Sequence, residues 1–245
     1  ISTATHIVGE CYENQDDVDA LLDKSEQLLF EITARSNDVQ AVMLKDLLQE
    51  SMETLERLSQ RKELVTGVST GFHDLDVQTA GLQPSDLIIV AGRPSMGKSS
   101  LVTCMAEHVG VVDRKPVVIF SLEMSKEHLA HRLLCANAKV DLHKARTGFL
   151  SQSDWRNLSN AAGKLSQAPI LIDDTPSMSA LELRAKSRRL KSPHDLSLII
   201  VDYLQMMRGP YRSENRQQEI SEISRSLKAM AKELRVPVIA VSQLS

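Results

Sequence analysis

The chain has 245 residues, of which 42% are hydrophobic and 25% charged, and its formal net charge is −3. This is the profile of an ordinary globular protein, long enough for one large domain or one domain with a smaller appendage. No apolar run is long enough to span a membrane, and the first residues are not expected to form a signal peptide. Three widely spaced cysteines exclude a paired metal motif and favour free thiols in a reducing cytoplasm.

The small negative charge gives no sign of nucleic-acid binding. It does not exclude such binding, because a ring-shaped protein can confine its basic groups to a central channel. The sequence begins at Ile1 rather than at Met and stops at Ser245, just after an apolar strand. We therefore expect a piece of a longer protein.

The first quarter of the chain is predicted to be mainly helical. Residues 1–15 are polar and are predicted to be irregular. Residues 16–35 and about 39–58 carry apolar residues at helical spacing. They predict either a helical hairpin packed on its own domain or, for residues 16–35, a helix that docks on a neighbouring subunit. The charged stretch at 59–67 indicates a linker.

Strands and helices then alternate to the end of the chain. Continuous apolar runs predict strands covered on both faces, at about 87–91, 116–121, 169–173, 197–202 and 236–242. Helices are predicted in the gaps between them, at about 98–112, 125–138, 152–167, 179–191 and 214–234. The fourth of these helices starts at the capping box Ser179-Ala-Leu-Glu182. The alternation predicts an α/β fold with a mainly parallel sheet flanked by helices. This domain is predicted to span residues 65–245, and a helical linker segment at residues 1–64 precedes it.

A phosphate-binding loop follows the first predicted strand. Gly92-Arg-Pro-Ser-Met-Gly-Lys-Ser99 fits G-x-x-x-x-G-K-[S/T] and stands between a strand and a helix, as this motif requires. Its glycines let backbone N–H groups turn towards a triphosphate, and the helix N-terminus adds its dipole. Lys98 is expected to reach the β- and γ-phosphates, and the Ser99 hydroxyl to hold Mg²⁺. The predicted nucleotide-binding residues are Gly92, Arg93, Pro94, Ser95, Met96, Gly97, Lys98, Ser99 and Ser100.

Other polar residues also come at the ends of predicted strands, where ligands bind in a sheet of this kind. Asp202 is predicted to be the second Mg²⁺ anchor rather than a turn cap. Glu123 is either a general base or an acid favoured by a helix N-terminus. Gln243 either senses the γ-phosphate or simply leaves the core. For Asp173-Asp174 we favour a turn over a rival acid pair.

Two basic stretches complete the pattern. Residues 184–191 predict a solvated helix face. Residues 208–218 form a basic loop with glycine and proline that follows Asp202. For this loop, contact with a nucleic acid is slightly preferred over an ordinary surface role.

Together these motifs resemble those of the hexameric replicative DNA helicases of the DnaB type, within the RecA-like P-loop NTPases. Ser121-Leu-Glu-Met124 and Val201-Asp-Tyr-Leu-Gln-Met206 separate this family from the recombinases. The matching stretches run in family order, and they are Thr66–Asp76, Ala80–Leu87, Gly92–Ser99, Phe120–Ser125, Arg146–Gly148, Ile200–Met206, Glu219–Lys228 and Val238–Leu244.

The resemblance implies a motor that hydrolyses ATP with Mg²⁺ in a homohexameric ring. The ring would move along single-stranded DNA in the cytoplasm, with primase and a helicase loader as partners and no membrane association. Residues 16–35 would be the linker helix that packs on the adjacent subunit. The arginine finger would lie beyond Ser245.

The resemblance also implies roles for individual residues. Lys98 would bind the triphosphate during catalysis, and Ser99 and Asp202 would hold the metal. Glu123 would be the catalytic base, and Gln243 would couple the phosphate state to DNA-facing loops. The Glu123 strand would lie beside the Asp202 strand, with the Gln243 strand between the latter and the phosphate loop.

Other classes of protein share part of this pattern. A RecA- or RadA-like recombination ATPase has the same loop and acids but forms filaments. A phosphate-loop kinase would need an arginine-rich lid and an acceptor pocket, and neither is convincing here. A non-hydrolysing ring or loading factor is disfavoured by Glu123.

Overall fold

The computed structural model describes residues 2–13, 25, 28, 42–61, 64–209 and 216–244. The chain divides into two compact units, Ile1–Lys62 and Glu63–Ser245. In the part of the chain that is described, no helix combines the length and apolar content that a bilayer crossing demands.

The first unit contains helices α1 (Ser2–Glu13) and α2 (Leu44–Arg61). The prediction that residues 1–15 are irregular was wrong. Ala4, Ile7, Val8 and Cys11 follow the i, i+3, i+4, i+7 spacing of a helix, which the polar residues among them obscured.

Helix α2 begins later and ends later than predicted. It starts where the Met43 carbonyl accepts the N–H groups of Asp46 and Leu47, and it continues to Arg61. The linker predicted at 59–67 is therefore helical over its first residues, which include no glycine or proline to stop a helix. The helix predicted at 16–35 lies outside the described residues, apart from Ser25 and Leu28.

The second unit is built on five parallel strands. They are β1 (Leu87–Gly92), β2 (Val117–Ser121), β3 (Ile170–Asp173), β4 (Leu198–Asp202) and β5 (Val238–Gln243). The strand order is β1-β5-β4-β2-β3. This confirms the α/β fold with a parallel sheet, and it confirms the strand order that the resemblance implied.

Helices flank the strands along the chain. They are α3 (His73–Thr79), α4 (Lys98–Glu107), α5 (Lys126–Ala138), α6 (Leu142–Thr147), α7 (Gln152–Leu165), α8 (Ala180–His194) and α9 (Arg216–Leu234). A π-helix (His108–Val112) prolongs α4, and a short 3₁₀ turn (Leu204–Met206) follows β4. The capping box at Ser179 and Glu182 is present. The short helices α3 and α6 were not predicted, since seven and six residues carry little periodicity.

Aliphatic side chains on both faces of the sheet form the core. All residues of β2 and β4 are buried. Leu183 of α8 and Leu227 and Met230 of α9 pack on one face, and Met105 of α4 and Leu133 of α5 pack on the other. Each fully buried aliphatic side chain contributes about 1.5–3 kcal/mol. The central strands are therefore a firm support for the polar residues at their carboxyl ends.

Candidate active site

The sheet register brings the predicted site residues to one edge. Gly92 at the end of β1 lies opposite Gln243 of β5, and Ser121 of β2 lies opposite Asp202 of β4. A cavity of about 410 Å³ opens at this edge. Its lining residues are Pro94, Ser95, Gly97, Lys98, Ser99, Ser100, Glu123, Arg132, Asp202, Tyr203, Val241 and Gln243.

The phosphate loop occupies residues 93–97, between β1 and α4. Gly97 has φ +82°, in the left-handed region that favours glycine, and it is the N-cap residue of α4. The loop therefore ends at a helix N-terminus, whose free N–H groups and dipole favour an anion. The Lys98 Nζ donates to the Arg93 carbonyl oxygen at 2.8 Å. This holds the ammonium beside the loop, where a phosphate could replace that carbonyl.

The predicted nucleotide-binding residues divide between two sides of the loop. Pro94, Ser95 and the run 97–100 line the cavity at the strand ends. Gly92, Arg93 and Met96 instead line an adjoining cavity of about 440 Å³ beside β1. The predicted residues therefore line two adjoining cavities rather than one.

Asp202 is the most buried acid of this edge, with only 7% of its surface exposed. Among the described residues, no group hydrogen-bonds to its buried Oδ1 atom. Burial raises the pKa of Asp202, and the nearby Glu123 carboxylate acts in the same direction. A hydrogen bond from Ser99 and the positive charges of Arg132 and Lys98 oppose the rise. A buried carboxylate oxygen without a partner is costly unless a ligand satisfies it.

This arrangement fits Mg²⁺. The ion prefers oxygen ligands, and it is usually held by one or two carboxylates together with waters and substrate phosphates. Asp202 provides the unsatisfied carboxylate oxygen, and the Ser99 hydroxyl, at the start of α4, lies near the same carboxyl group. The same cavity contains the Lys98 ammonium, so its chemistry suits a metal-bound triphosphate.

Glu123 lies two residues beyond the end of β2, on the wall of the same cavity. The turn that carries it is held by two hydrogen bonds. The Ser121 hydroxyl donates to the Met124 carbonyl at 2.7 Å, and the Leu122 N–H donates to the Asp202 carbonyl at 2.8 Å. Because Glu123 is exposed rather than buried, its carboxylate can accept a proton from a water molecule in the cavity.

Gln243 ends β5 and lines the cavity between the phosphate loop and Asp202. Its backbone is fixed by a second glutamine. The Gln205 Nε2 donates to the Ser242 hydroxyl and to the Gln243 carbonyl, each at 2.9 Å. The Gln243 N–H donates in return to the Gln205 Oε1 at 3.2 Å.

Sequence reasoning missed Arg132 and Gln205. Arg132 lies on α5, nine residues after Glu123, and it lines the cavity. Its buried Nε has no hydrogen-bond partner among the described residues. The guanidinium therefore offers a second positive charge beside Lys98. Gln205 stood within the Asp-Tyr-Leu-Gln stretch, but nothing in the sequence showed what its amide would contact.

Other predicted features lie away from the cavity. Asp173 accepts from the Thr175 N–H and from Lys186, and Asp174 accepts from the Lys126 N–H at the start of α5. They form a turn and a helix cap rather than an acid pair at the site. The helix face at 184–191 is less free than predicted, because Arg184 and Arg188 both pair with Glu233 of α9.

The basic loop predicted at 208–218 is described only in part. Residues 210–215 lie outside the described residues. Gly209 and Arg216, on either side of them, are both hydrogen-bonded to Glu219.

Comparison with known proteins finds a family match over most of the chain and similar proteins over all of it. Residues 67–245 match the family of the DnaB-like helicase C terminal domain. The replicative DNA helicase DnaB of Geobacillus stearothermophilus is 48% identical over the whole chain, which covers 54% of that protein. The replicative DNA helicase DnaC of Bacillus subtilis (strain 168) is 47% identical, with the same coverage. The chain thus spans about half the length of these curated relatives.

Two solved structures share the fold. One, described as an ATPase domain, superposes with a TM-score of 0.74 at 35% identity, over 81% of this chain and 71% of that one. A DnaB-like replicative helicase, described with its interactions with primase, superposes with a TM-score of 0.73 at 32% identity, over 100% of this chain and 57% of that one. By sequence match, fold and strand order, the chain belongs to the DnaB-like helicase C-terminal domain family.

Proposed function

We propose that this chain is the ATP-hydrolysing motor of a replicative DNA helicase. One observation carries the proposal. Lys98, Ser99, Glu123, Asp202 and Gln243 come from four strand ends and line a single cavity. Each has the side chain that its part in phosphoryl transfer to water requires.

The residues divide the work of hydrolysis. Lys98 and the N–H groups at the start of α4 bind the phosphates of the substrate ATP. Ser99 and Asp202 would hold Mg²⁺, which when bound neutralises charge on the phosphate oxygens. Glu123 orients a water molecule and takes its proton as the water oxygen attacks the γ-phosphorus. The bond from that phosphorus to the ADP oxygen breaks, and ADP leaves with the electron pair.

The assembly proposed around this site is the one that the family resemblance implies. Six copies form a ring in the cytoplasm, and the neighbouring subunit completes each site with an arginine finger. Residues 16–35 act as the helix that docks on that neighbour, within a linker region over 1–64 that precedes the motor domain over 65–245. Single-stranded DNA passes through the ring, gripped through its phosphates and without sequence preference. Primase and a helicase loader are its proposed partners.

The test is ATP turnover by the full-length protein with and without single-stranded DNA, combined with imaging of the assembled particles. The proposal expects closed six-membered rings, turnover that DNA stimulates, and stimulation that weakens as salt is raised. Filaments would favour a recombination ATPase instead. Turnover that DNA leaves unchanged would contradict the motor function.

A further inference from the structure

The segment that carries Glu123 is anchored at both ends by buried leucines. Leu122, before it, packs in the core on one face of the sheet, and Leu129, after it, packs in the core on the other face. The six residues between them, 123–128, lead from the end of β2 into the first turn of α5. We call this segment the base turn. The position of the Glu123 carboxylate depends on how the base turn is held between its two anchors.

A side chain from the neighbouring strand holds the base turn. The Oδ2 atom of Asp174, the residue after β3, accepts from the Lys126 N–H at 3.0 Å. Lys126 is the first residue of α5, so this N–H is one of the donors that find no partner within their own helix. The Lys126 ammonium lies 3.5 Å from the other carboxylate oxygen, Oδ1. Among the described residues, Asp174 is the partner in every hydrogen bond that joins the base turn to a residue outside 121–129.

Asp174 stands in a turn that is itself fixed. Its neighbour Asp173, the last residue of β3, accepts from the Thr175 N–H at 3.0 Å and from the Thr175 hydroxyl at 2.6 Å. Lys186 of α8 donates to the other Asp173 oxygen and to the Thr175 hydroxyl oxygen, each at 2.7 Å. Bonds on both sides of Asp174 therefore restrict its backbone, and its carboxylate reaches α5 from a fixed support.

The backbone of the base turn is the main partner of the Asp174 carboxylate. The hydrogen bond from the Lys126 N–H is the largest cause of the lowered pKa of Asp174, and the Lys126 charge acts in the same direction. The carboxylate is ionised at neutral pH, so its bond to the N–H is charge-assisted. The ammonium contributes less, because the Lys126 side chain is 59% exposed and water screens the ion pair.

From these contacts we infer that Asp174 is a positioning residue for the catalytic base Glu123. The inference rests on the proposed function and adds to it a residue that does not line the cavity. Asp174 holds the base turn at Lys126, three residues after Glu123. Within the turn, the hydrogen bond from the Ser121 hydroxyl to the Met124 carbonyl connects this point to the end of β2.

The packing of α5 does not depend on Asp174. Leu129 and Leu133 of this helix are buried in the core, and its N-cap side chain accepts from a backbone N–H of the first turn. Loss of the Asp174 carboxylate should therefore leave the helix in place and loosen the base turn. The expected consequence is a Glu123 carboxylate that no longer faces the attacking water in one fixed position.

The experiment measures steady-state ATP turnover by Asp174→Ala in the full-length protein. We expect kcat to fall by about 10–10²-fold while the KM for ATP is retained, because a displacement of about 1 Å can cost about 10²-fold in rate. Asp174→Asn keeps an oxygen that can accept from the Lys126 N–H, so it should recover most of the parent's turnover.

Asp154→Ala is the matched control. Asp154 is also half-buried, and it accepts at 2.9 Å from the backbone N–H of Ser151, the N-cap residue of α7. This helix start does not line the cavity. Asp154→Ala should lower the unfolding midpoint about as much as Asp174→Ala does, and it should keep the parent's kcat.

A double variant separates positioning of the base from a merely structural role. If Asp174 acts through Glu123, its removal costs nothing further once the base is absent. Asp174→Ala combined with Glu123→Gln should therefore turn over as slowly as Glu123→Gln alone. A residue that only supports the fold would lower turnover by the same factor in both backgrounds.

Three results would overturn the inference. One is a kcat of Asp174→Ala equal to that of the parent. Another is a loss by Asp154→Ala as large as the loss by Asp174→Ala, which would attribute both to weaker folding. The third is a further loss in the double variant by the full factor of Asp174→Ala. A parent without ATP turnover would instead contradict the proposed function.

Discussion

Asp76 and Asp202 are both buried aspartates of the second unit, with 5% and 7% of their surfaces exposed, but their surroundings differ. The Asp76 carboxylate accepts from the Ser69 hydroxyl, from the Thr70 N–H and hydroxyl, and from the Gly71 N–H, at 2.7–3.3 Å. Asp202 has an oxygen that no described residue contacts through a hydrogen bond. A buried carboxylate with all its partners stabilises a loop, whereas one with an unused oxygen indicates a ligand site.

The pKa values follow the same division. Burial opposes ionisation at both positions. At Asp76 the hydrogen bonds of Thr70, Ser69 and Gly71 outweigh burial, and the pKa is lowered. At Asp202 burial prevails, with Glu123 acting in the same direction, and the pKa is raised. The fold provides all the partners of the first carboxylate, and we propose that a cation provides the missing partner of the second.

The largest expected effect concerns Glu123, the exposed acid that lines the same cavity as Asp202. Glu123→Gln keeps the shape of the side chain but removes the proton acceptor. We expect ATP turnover to fall by about 10²–10⁴-fold, while ATP binding and the folded structure are retained. Steady-state turnover and nucleotide binding measure the two effects.

Glu127→Gln, an exposed acid in the first turn of α5, is the control and should leave turnover unchanged. A Glu123→Gln protein that turns over normally would show that another group is the base.

Asp76→Asn tests the buried carboxylate whose hydrogen-bond partners all belong to the loop before its helix. The amide replaces one acceptor oxygen with a donor that faces other donors, so we expect a loss of about 1–3 kcal/mol in the free energy of unfolding. Chemical denaturation measures this loss. Asp74→Asn, at an exposed acid in the same helix, should change stability little. If the Asp74→Asn control lost as much stability as Asp76→Asn, the cause would be the removal of a negative charge rather than the loss of hydrogen bonds in the loop.

Asp202→Asn is expected to have a smaller effect on stability, of the opposite sign. It removes a buried charge that the protein alone leaves without a full set of partners. The unliganded variant should therefore be as stable as the parent or more stable, within about 1 kcal/mol. The same denaturation experiment checks this. A loss as large as that of Asp76→Asn would mean that the fold itself depends on the Asp202 charge.

The two aspartates should also differ in their dependence on pH. The lowered pKa of Asp76 gives stability that is fully present above the ordinary Asp pKa of about 3.9 and is lost as the pH falls through the lower folded value. The raised pKa of Asp202 imposes a cost above its folded value, and that cost is relieved as the pH falls through it. Relative to the parent, Asp76→Asn should therefore lose less stability on acidification. Denaturation at a series of acidic pH values checks this, and parallel curves for parent and variant would contradict it.

The fold was predictable because its signals are periodic or chemical. The apolar runs of β1, β2, β4 and β5 indicated the strands, and the octet ending at Ser99 indicated the loop between the first strand and its helix. The ends of elements were less accurate, since the start of α2 at Leu44 and the short helix α3 depend on local hydrogen bonds that periodicity does not record. The helical spacing in α1 was present but was obscured by polar neighbours.

The acidic members of the site were predictable because acids follow apolar strands, as at Glu123 and Asp202. Arg132 and Gln205 were not, because their importance depends on what lies opposite them in space. Arg132 comes from the middle of α5, and Gln205 meets Gln243 from 38 residues away in the chain. The pairing of Gln205 with Gln243 follows from the adjacent positions of β4 and β5 in the sheet rather than from spacing along the sequence.

The most direct measurement is the stabilisation of the two aspartate variants by Mg²⁺ with a non-hydrolysable ATP analogue. A ligand at about 100 times its Kd stabilises a folded protein by about 2.7 kcal/mol. We predict that the ligand stabilises Asp76→Asn as much as the parent, because the Asp76 loop lies outside the cavity. Asp202→Asn should lose most of the part of this stabilisation that depends on Mg²⁺. Equal stabilisation of both variants would contradict the assignment of Asp202, and with it the candidate site.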